Sequence, residues 1–307
     1  AAGIAGGLVA AITLAIIESD KLQRSINDLA ITSGGTASEI KRYEDAAREL
    51  GRSTAISAEQ IAVGMENIAD EFQFEGTGEN IESLSRKIIV LAQSVGTDML
   101  DASDAVAVTL QKFSLSADST GAVVDLLASA SKGSASRLAE FTGALSSSAA
   151  AAKSSGISLS ETAAAIKVLD AAGIKGSEAG GQLSKILIEL SGQADSKINP
   201  SIVGMAAAFE ELQKRSLTLN DSVKTFGRFS FEAGSAITAN AGKLRELSSE
   251  ASTAGEAHRI AAIKTKDLDD SFKILKNNVG DLAISMGQSL SPAANLIVES
   301  LSTLAKY

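Results

Sequence analysis

Residues 171–190 read AAGIKGSEAGGQLSKILIEL. Four glycines, Gly173, Gly176, Gly180 and Gly181, fall within nine residues, and Leu183, Leu187 and Leu190 follow as an apolar stripe at helical spacing. A glycine inside a helix costs about 1 kcal/mol relative to alanine. Gly173 has a ready role as the residue just past a helix end, where the left-handed conformation carries no penalty for glycine, with Ile174 supplying the apolar contact across the turn. Gly176-Ser177 then opens the next helix, with Ser177 as N-cap and Glu178 in the first turn, where negative charge suits the helix dipole. No cap requires Gly180 or Gly181. Gly176 and Gly180 are four apart, as are Ser177 and Gly181, so small residues form a flat strip along one helix face. The spacing predicts a helix hairpin packed tightly at its elbow; the other reading is a groove for a partner's backbone.

The rest of the chain supports an all-α fold of short-to-medium amphipathic helices joined by Gly/Ser turns. The 307 residues include no Cys or Trp, two Pro, nine Phe and two Tyr, so a core must be built from Ala, Leu, Ile and Val. Thr36 with Glu39, Ser57 with Gln60 and Ser158 with Glu161 stand at capping-box spacing, each before a helical run. Ile61, Met65, Ile68 and Phe72 mark one face, and Ile81, Leu84, Ile88, Leu91 and Val95 another. Gly51 and Gly96 read as helix ends, residues 76–80 as a loop, and Pro200 as the first turn of a helix over 201–215. Residues 134–155 thin into SSSAAAAKSS and read as a weakly anchored helix. Phe226, Phe229 and Phe231 form the densest aromatic cluster and read as a local core. Three segments, beginning at Gly51, Gly96 and Gly156, repeat one glycine–link–cap–helix scheme at irregular spacing, which is not a solenoid of fixed period.

The expected organisation is an apolar or amphipathic N-terminal helix over 1–33, a helical core over 34–255 and a long C-terminal helical segment over 256–307. Residues 1–17 carry no charge and include Gly3 and Gly7 as GxxxG, which suits a buried helix in a bundle or oligomer, or a membrane-inserting segment. Phe272, Leu275, Val279, Leu282 and Met286 alternate steps of three and four, a coiled-coil seam over about two heptads. The chain opens on Ala1 rather than Met, as expected of a piece of something longer.

Chemistry finds little purchase. Without Cys there are no disulfides, thiolate metal sites or Cys nucleophiles. The single His, His258, has no second His beside it and reads as a surface residue, so no metal or cofactor site is expected. GIKGSEAGG lacks the GK[ST] ending of a phosphate loop and follows a helix rather than a strand. Adjacent carboxylates, Glu210-Glu211 and Asp269-Asp270, point apart on a helix. The net charge of −9, with no basic run, argues against nucleic-acid recognition. The chain is expected not to be an enzyme.

The stretch from Ala172 to Gly180 resembles the signature A-G-I-K-G-S-E-A-G-T of the phage tail tape measure protein family, departing at Gly181, where the family has Thr. ARELGRSTAISAEQIA resembles its early L-G-x-x-T segment, VLAQSVGTDMLDASDAVAVTLQKFSLSA its L-A-x-x-x-G-x-D-L segment, and SSGISLSETAAAI its G-V-S-L-E-E-T-A helix. Phe226-Gly227-Arg228 and MGQSLSPAANLI resemble later family motifs in the same order. The resemblance implies a structural virion protein that sets tail-tube length and is released on DNA ejection. It implies a location in the tail-tube lumen, and in the host cytoplasm during assembly. Implied partners are further copies of itself (a trimer favoured), the tail tube protein, the tail tip or baseplate hub, tail assembly chaperones and the host membrane. The alternative is a membrane-active helical protein acting through the apolar N-terminal segment.

Overall fold

The computed structural model describes residues 2–72, 80–131, 135–250, 255–264 and 270–285 apart from 272 and 283; of residues 2–16 only the backbone is described. Among the described residues the regular structure is helical throughout. The predicted GTGE loop at 76–79, the seam positions Phe272 and Met286, and the tail beyond lie outside them, as do the side-chain surroundings of Gly3 and Gly7.

The helix starts follow from capping chemistry. α1 (Ala2–Ser33) gives way at Gly34-Gly35 to α2 (Ala37–Ser53), where Thr36 and Glu39 satisfy each other's backbone N–H groups. The same reciprocal pairing opens α3 (Ala58–Glu71) through Ser57 and Gln60. Asn80 and Ser83 do it for α4 (Ile81–Val95), and Ser158 and Glu161 for α8 (Leu159–Ala171). Asp98 caps α5 (Met99–Phe113), and a short 3-10 turn leads into α6 (Thr120–Ser131). Gly96 ends α4 in the left-handed conformation. Gly51 does not end α2: it lies inside the helix, where a Cβ would stand 2.9 Å from the Ala58 backbone nitrogen.

From α1 to α9 (Gly176–Ser191) alternate helices lie side by side. Asn67 of α3 accepts a hydrogen bond from Ser103 of α5, 36 residues on. Glu49 of α2 pairs with Arg86 of α4 at an offset of 37, and Lys167 of α8 donates to Ser129 of α6 at an offset of 38. Ser155, just past α7 (Ala135–Ser154), bonds Ser191 at the end of α9 at an offset of 36. Near-constant offsets mean that next-but-one helices run parallel, as in a stack of helix pairs, although the sequence shows no fixed period. The register is set by where side chains interlock, and loops of unequal length absorb the differences.

One connected core runs from Leu22 of α1 to Ile284. It includes α15 (Glu256–Lys264), whose start is capped by Asp125 of α6: its carboxylate accepts from the Gly255 and Ala257 N–H groups, both at 2.8 Å. The N-terminal, central and C-terminal stretches therefore share that core.

Three further sequence expectations change. Far from being weakly anchored, α7 is among the most deeply set helices, with Ala144, Ser148 and Ala152 fully buried. Small residues read as poor anchors because each buries little area, yet they let neighbouring backbones approach closely. The buried hydroxyl is satisfied within the helix, Ser148 donating to the Ala144 carbonyl at 2.9 Å.

The three phenylalanines do not cluster. Phe226, at the end of α12 (Leu219–Phe226), is fully buried and stacks on Phe209, with ring centroids 6.1 Å apart. Phe229 is 79% exposed, with the Lys185 ammonium over its ring, and Phe231 is partly buried at the start of α13 (Phe231–Ala239).

The predicted 201–215 helix breaks at Gly204 into α10 (Pro200–Val203) and α11 (Met205–Lys214). Glu161 fills the gap. One carboxylate oxygen accepts from the Ser158 N–H and hydroxyl at 3.3 and 3.0 Å, and the other accepts from the Met205 N–H at 3.0 Å. One side chain thus caps two helices. Glu161→Ala is expected to lose the reciprocal half of the α8 capping box and the side-chain cap of α11, and to destabilise the fold by about 2 kcal/mol, the upper end of the loss for a cap. Glu161→Gln, which keeps one of the two acceptor oxygens, is expected to lose about half as much; urea denaturation of the two variants checks this.

Candidate functional site

The glycine segment forms the closest helix–helix contact in its region. Gly173 (φ +91°) follows α8 and completes a double hydrogen-bonded helix end: its N–H donates to the Asp170 carbonyl at 3.0 Å and the Ile174 N–H to Leu169 at 2.9 Å. Ile174 packs against the core. Helix α9 then begins at Gly176 (φ +54°), with Lys175 rather than Ser177 in the cap position and no side-chain cap. Ser177 falls inside the first turn because its hydroxyl lies over α7, 3.2 Å from where a Cβ on Gly143 would stand.

The expected strip is narrower than its sequence spacing, and it faces α7 rather than the hairpin partner α8. A Cβ on Gly180 would stand 2.8 Å from both the Ala144 carbonyl carbon and Ser147 Cβ, and closer still to the Ala144 carbonyl oxygen. Gly176 approaches the Glu140 carbonyl less closely, at 4.0 Å, while Gly181 meets nothing within that distance. The contact therefore brings Gly176, Ser177 and Gly180 together on α7 and leaves Gly173 in the turn and Gly181 outside. Below it, Ala179, Leu183, Leu187 and Leu190 are fully buried.

A second feature lies at the C-terminal end. The last helical stretch among the described residues, α16 (residues 270–271, 273–282 and 284–285), leaves Leu275, Val279 and Leu282 59, 55 and 61% exposed. Its other side carries Asp281, which receives Arg48 Nε at 2.7 Å and Arg52 Nη1 at 3.0 Å, both from α2. Burial pushes the Asp281 carboxyl up, but the hydrogen bonds and charges of the two guanidiniums outweigh it and hold the group below the usual aspartate value.

Sequence reasoning missed several of these elements. The Thr218–Asp221 capping box that opens α12 was legible in T-x-x-D. A glycine inside an alanine-rich helix was the signal for Gly64, where a Cβ would stand 2.8 Å from Met99 Cβ. The Arg48–Asp281 pair, 233 residues apart, leaves no local signal. Among the described residues no group of three His, Cys, Asp or Glu side chains is placed to hold a metal ion. Nor, among them, is any helix long and apolar enough to cross a membrane.

The family model for phage-related minor tail proteins matches residues 44–306, most of the chain. The chain belongs to that family. A curated relative is the tape measure protein of Pneumococcus phage Dp-1, 34% identical over 197 residues, which are 60% of this chain and 17% of that protein. The chain thus spans less than a fifth of that relative's length. No solved structure matches it. The tape measure resemblance carried by residues 172–180 and the motifs around them agrees with both matches, and membership gives the chain a structural role in a phage tail.

Proposed function

We propose that this chain is a segment of a tail tape measure, a helical protein whose length sets how far the tail tube polymerises and which leaves the tail on DNA ejection. The observation that carries the reading is the identity to a curated tape measure protein, set on a fold of stacked helix pairs. On this reading it lies in the tail-tube lumen and meets the tail tube protein, the tail tip or baseplate hub, and the assembly chaperones. Copies of the chain associate as a trimer through the exposed face of α16, where Leu275, Val279 and Leu282 keep heptad spacing.

Tail length tests the proposal. An in-frame deletion of 36 residues, one offset of the helix stack, made in the full-length gene, is expected to shorten tails by about 54 Å, the length of those residues laid out in the tube as one continuous helix at about 1.5 Å per residue rather than folded back. Electron micrographs showing parental tail length would exclude a measuring role for this segment.

A further inference from the structure

Helices α3, α5, α7 and α9 lie side by side, and the α3–α5 and α7–α9 junctions are closed. Met99 of α5 fills the space over Gly64 of α3, and Gly180 of α9 lies against the Ala144 backbone of α7. The α5–α7 junction stays open. At the C-terminal ends Lys153 donates to the Ser114 hydroxyl at 2.5 Å, but towards the helix starts a groove of about 400 Å³ separates the pair. Ala105 and Val108 line one side of it, and Leu138, Ala139 and Gly143 the other. Ala105 and Leu138 are buried at its base. Ligand pockets commonly hold about 300–1,000 Å³ over an apolar floor with a few polar groups.

The charged groups of this groove share one sign. Asp101 and Asp104 stand at neighbouring positions on one face of α5, and no Lys or Arg lines the groove. Asp101 accepts from the Thr97 hydroxyl at 2.8 Å and Asp104 from Asn67 Nδ2 at 2.9 Å. These bonds engage one oxygen of each carboxylate, and among the described residues no cation pairs with either. Both helices start at this end, and each start carries about half a positive charge. The full charges of Asp101 and Asp104, with the Asp98 cap beside them, outweigh it. The wall also holds the Thr142 hydroxyl oxygen, buried without a hydrogen-bond partner. Buried hydroxyls elsewhere, such as those of Thr109 and Ser148, bond back to their own helix. A turn of about 120° about χ1, from one staggered position to the next, re-aims the Thr142 oxygen, and a donor laid in the groove satisfies it.

We propose that the α5–α7 groove receives an arginine side chain presented by a partner protein. The methylene stem lies over Val108 and Leu138, as amphipathic side chains cover apolar surface. The guanidinium reaches the open oxygens of Asp101 and Asp104. Its planar fork of donors serves both carboxylates and the Thr142 hydroxyl, whereas an ammonium is a compact point charge that gives up water less readily. The same carboxylates repel nucleic acid and anionic membrane surfaces, which leaves a protein as the source of the cation. The proposal stands whether or not the segment measures tail length.

N-acetylarginine methylamide tests the groove, with N-acetylcitrulline methylamide as the uncharged analogue of the same shape. In methyl NMR spectra of the full chain, the arginine probe is expected to shift the Val108 and Leu138 signals to saturation. The citrulline probe is expected to bind about tenfold more weakly, the loss of a charge-assisted pairing. Asp101→Asn together with Asp104→Asn removes the charge and keeps the shape, and is expected to weaken the arginine probe by about tenfold as well. Ala139→Leu keeps both carboxylates and fills the groove from an exposed position; it is expected to abolish binding. Shifts that never saturate overturn the proposal, as does equal binding of the two probes. Undiminished binding to the double variant or to Ala139→Leu overturns it too, because the probe then sits elsewhere.

Discussion

Gly180→Ala is expected to destabilise the protein by about 2 kcal/mol, within the usual range for an overpacked core. At an unhindered helix position the same change gains about 1 kcal/mol from helix propensity. Here the added methyl would stand 2.8 Å from the Ala144 carbonyl carbon and from Ser147 Cβ. The obstruction is mostly backbone, which cannot rotate out of the way, so α7 and α9 must separate along their length. That separation loosens Leu183 and Leu187 of α9 and Ala144 of α7, all fully buried. Gly181→Ala is the internal control: a Cβ there meets nothing within 4 Å, so it is expected to be neutral or mildly stabilising. Gly180→Leu should exceed Gly180→Ala. Thermal and urea unfolding of the three variants measures this, and a Gly180→Ala protein as stable as the parent would show that the contact relaxes without cost.

Phe226→Ala carries the other large effect, about 4 kcal/mol, the usual loss for a fully buried aromatic side chain. The ring stacks on Phe209 at an interplanar angle of 10°. It also packs against Gly234 of α13, where a Cβ would stand 2.6 Å from Phe226 Cδ1 and nearer still to Cγ. The ring is therefore in contact with both an aromatic face and a bare helix backbone. Gly234→Ala alone should cost about 1–3 kcal/mol by overpacking. In the double variant the new methyl enters space that the ring has vacated. The two losses should then fall short of additive by about 1 kcal/mol or more, as for residues in contact. A double-mutant cycle on urea unfolding reads the coupling directly; strict additivity would mean that the ring is not wedged against Gly234.

Much of the helix layout was legible because its signals are local. A capping box needs only two side chains with acceptor oxygens three residues apart, and Thr36–Glu39, Ser57–Gln60 and Ser158–Glu161 all formed where spacing placed them. The faces Ile61–Met65–Ile68 and Leu84–Ile88–Leu91 are buried as their periodicity requires. The errors arose where a residue's role depends on something distant. Residues 134–155 looked thin because apolar area was counted and close approach was not. The break at Gly204 was invisible because the cap for α11 comes from Glu161, 44 residues earlier. Phe229 shares its local sequence context with Phe226, and only the direction of the chain after Gly227 sends one ring into the core and the other to solvent.

By itself the sequence determined that this tail protein is helical, where most helices begin, and which family carries its helix–glycine–helix segment. These properties depend on interactions within a few residues, which spacing alone reports. Only the tertiary structure decided which helices are neighbours, that Gly180 serves α7 rather than its own hairpin, and that the heptad face of α16 points outward from a polar seat. Those outcomes depend on contacts such as Ala144 with Gly180 and Arg48 with Asp281, made between residues far apart in the chain. Their energies come from shape and burial that exist only once the helices have stacked.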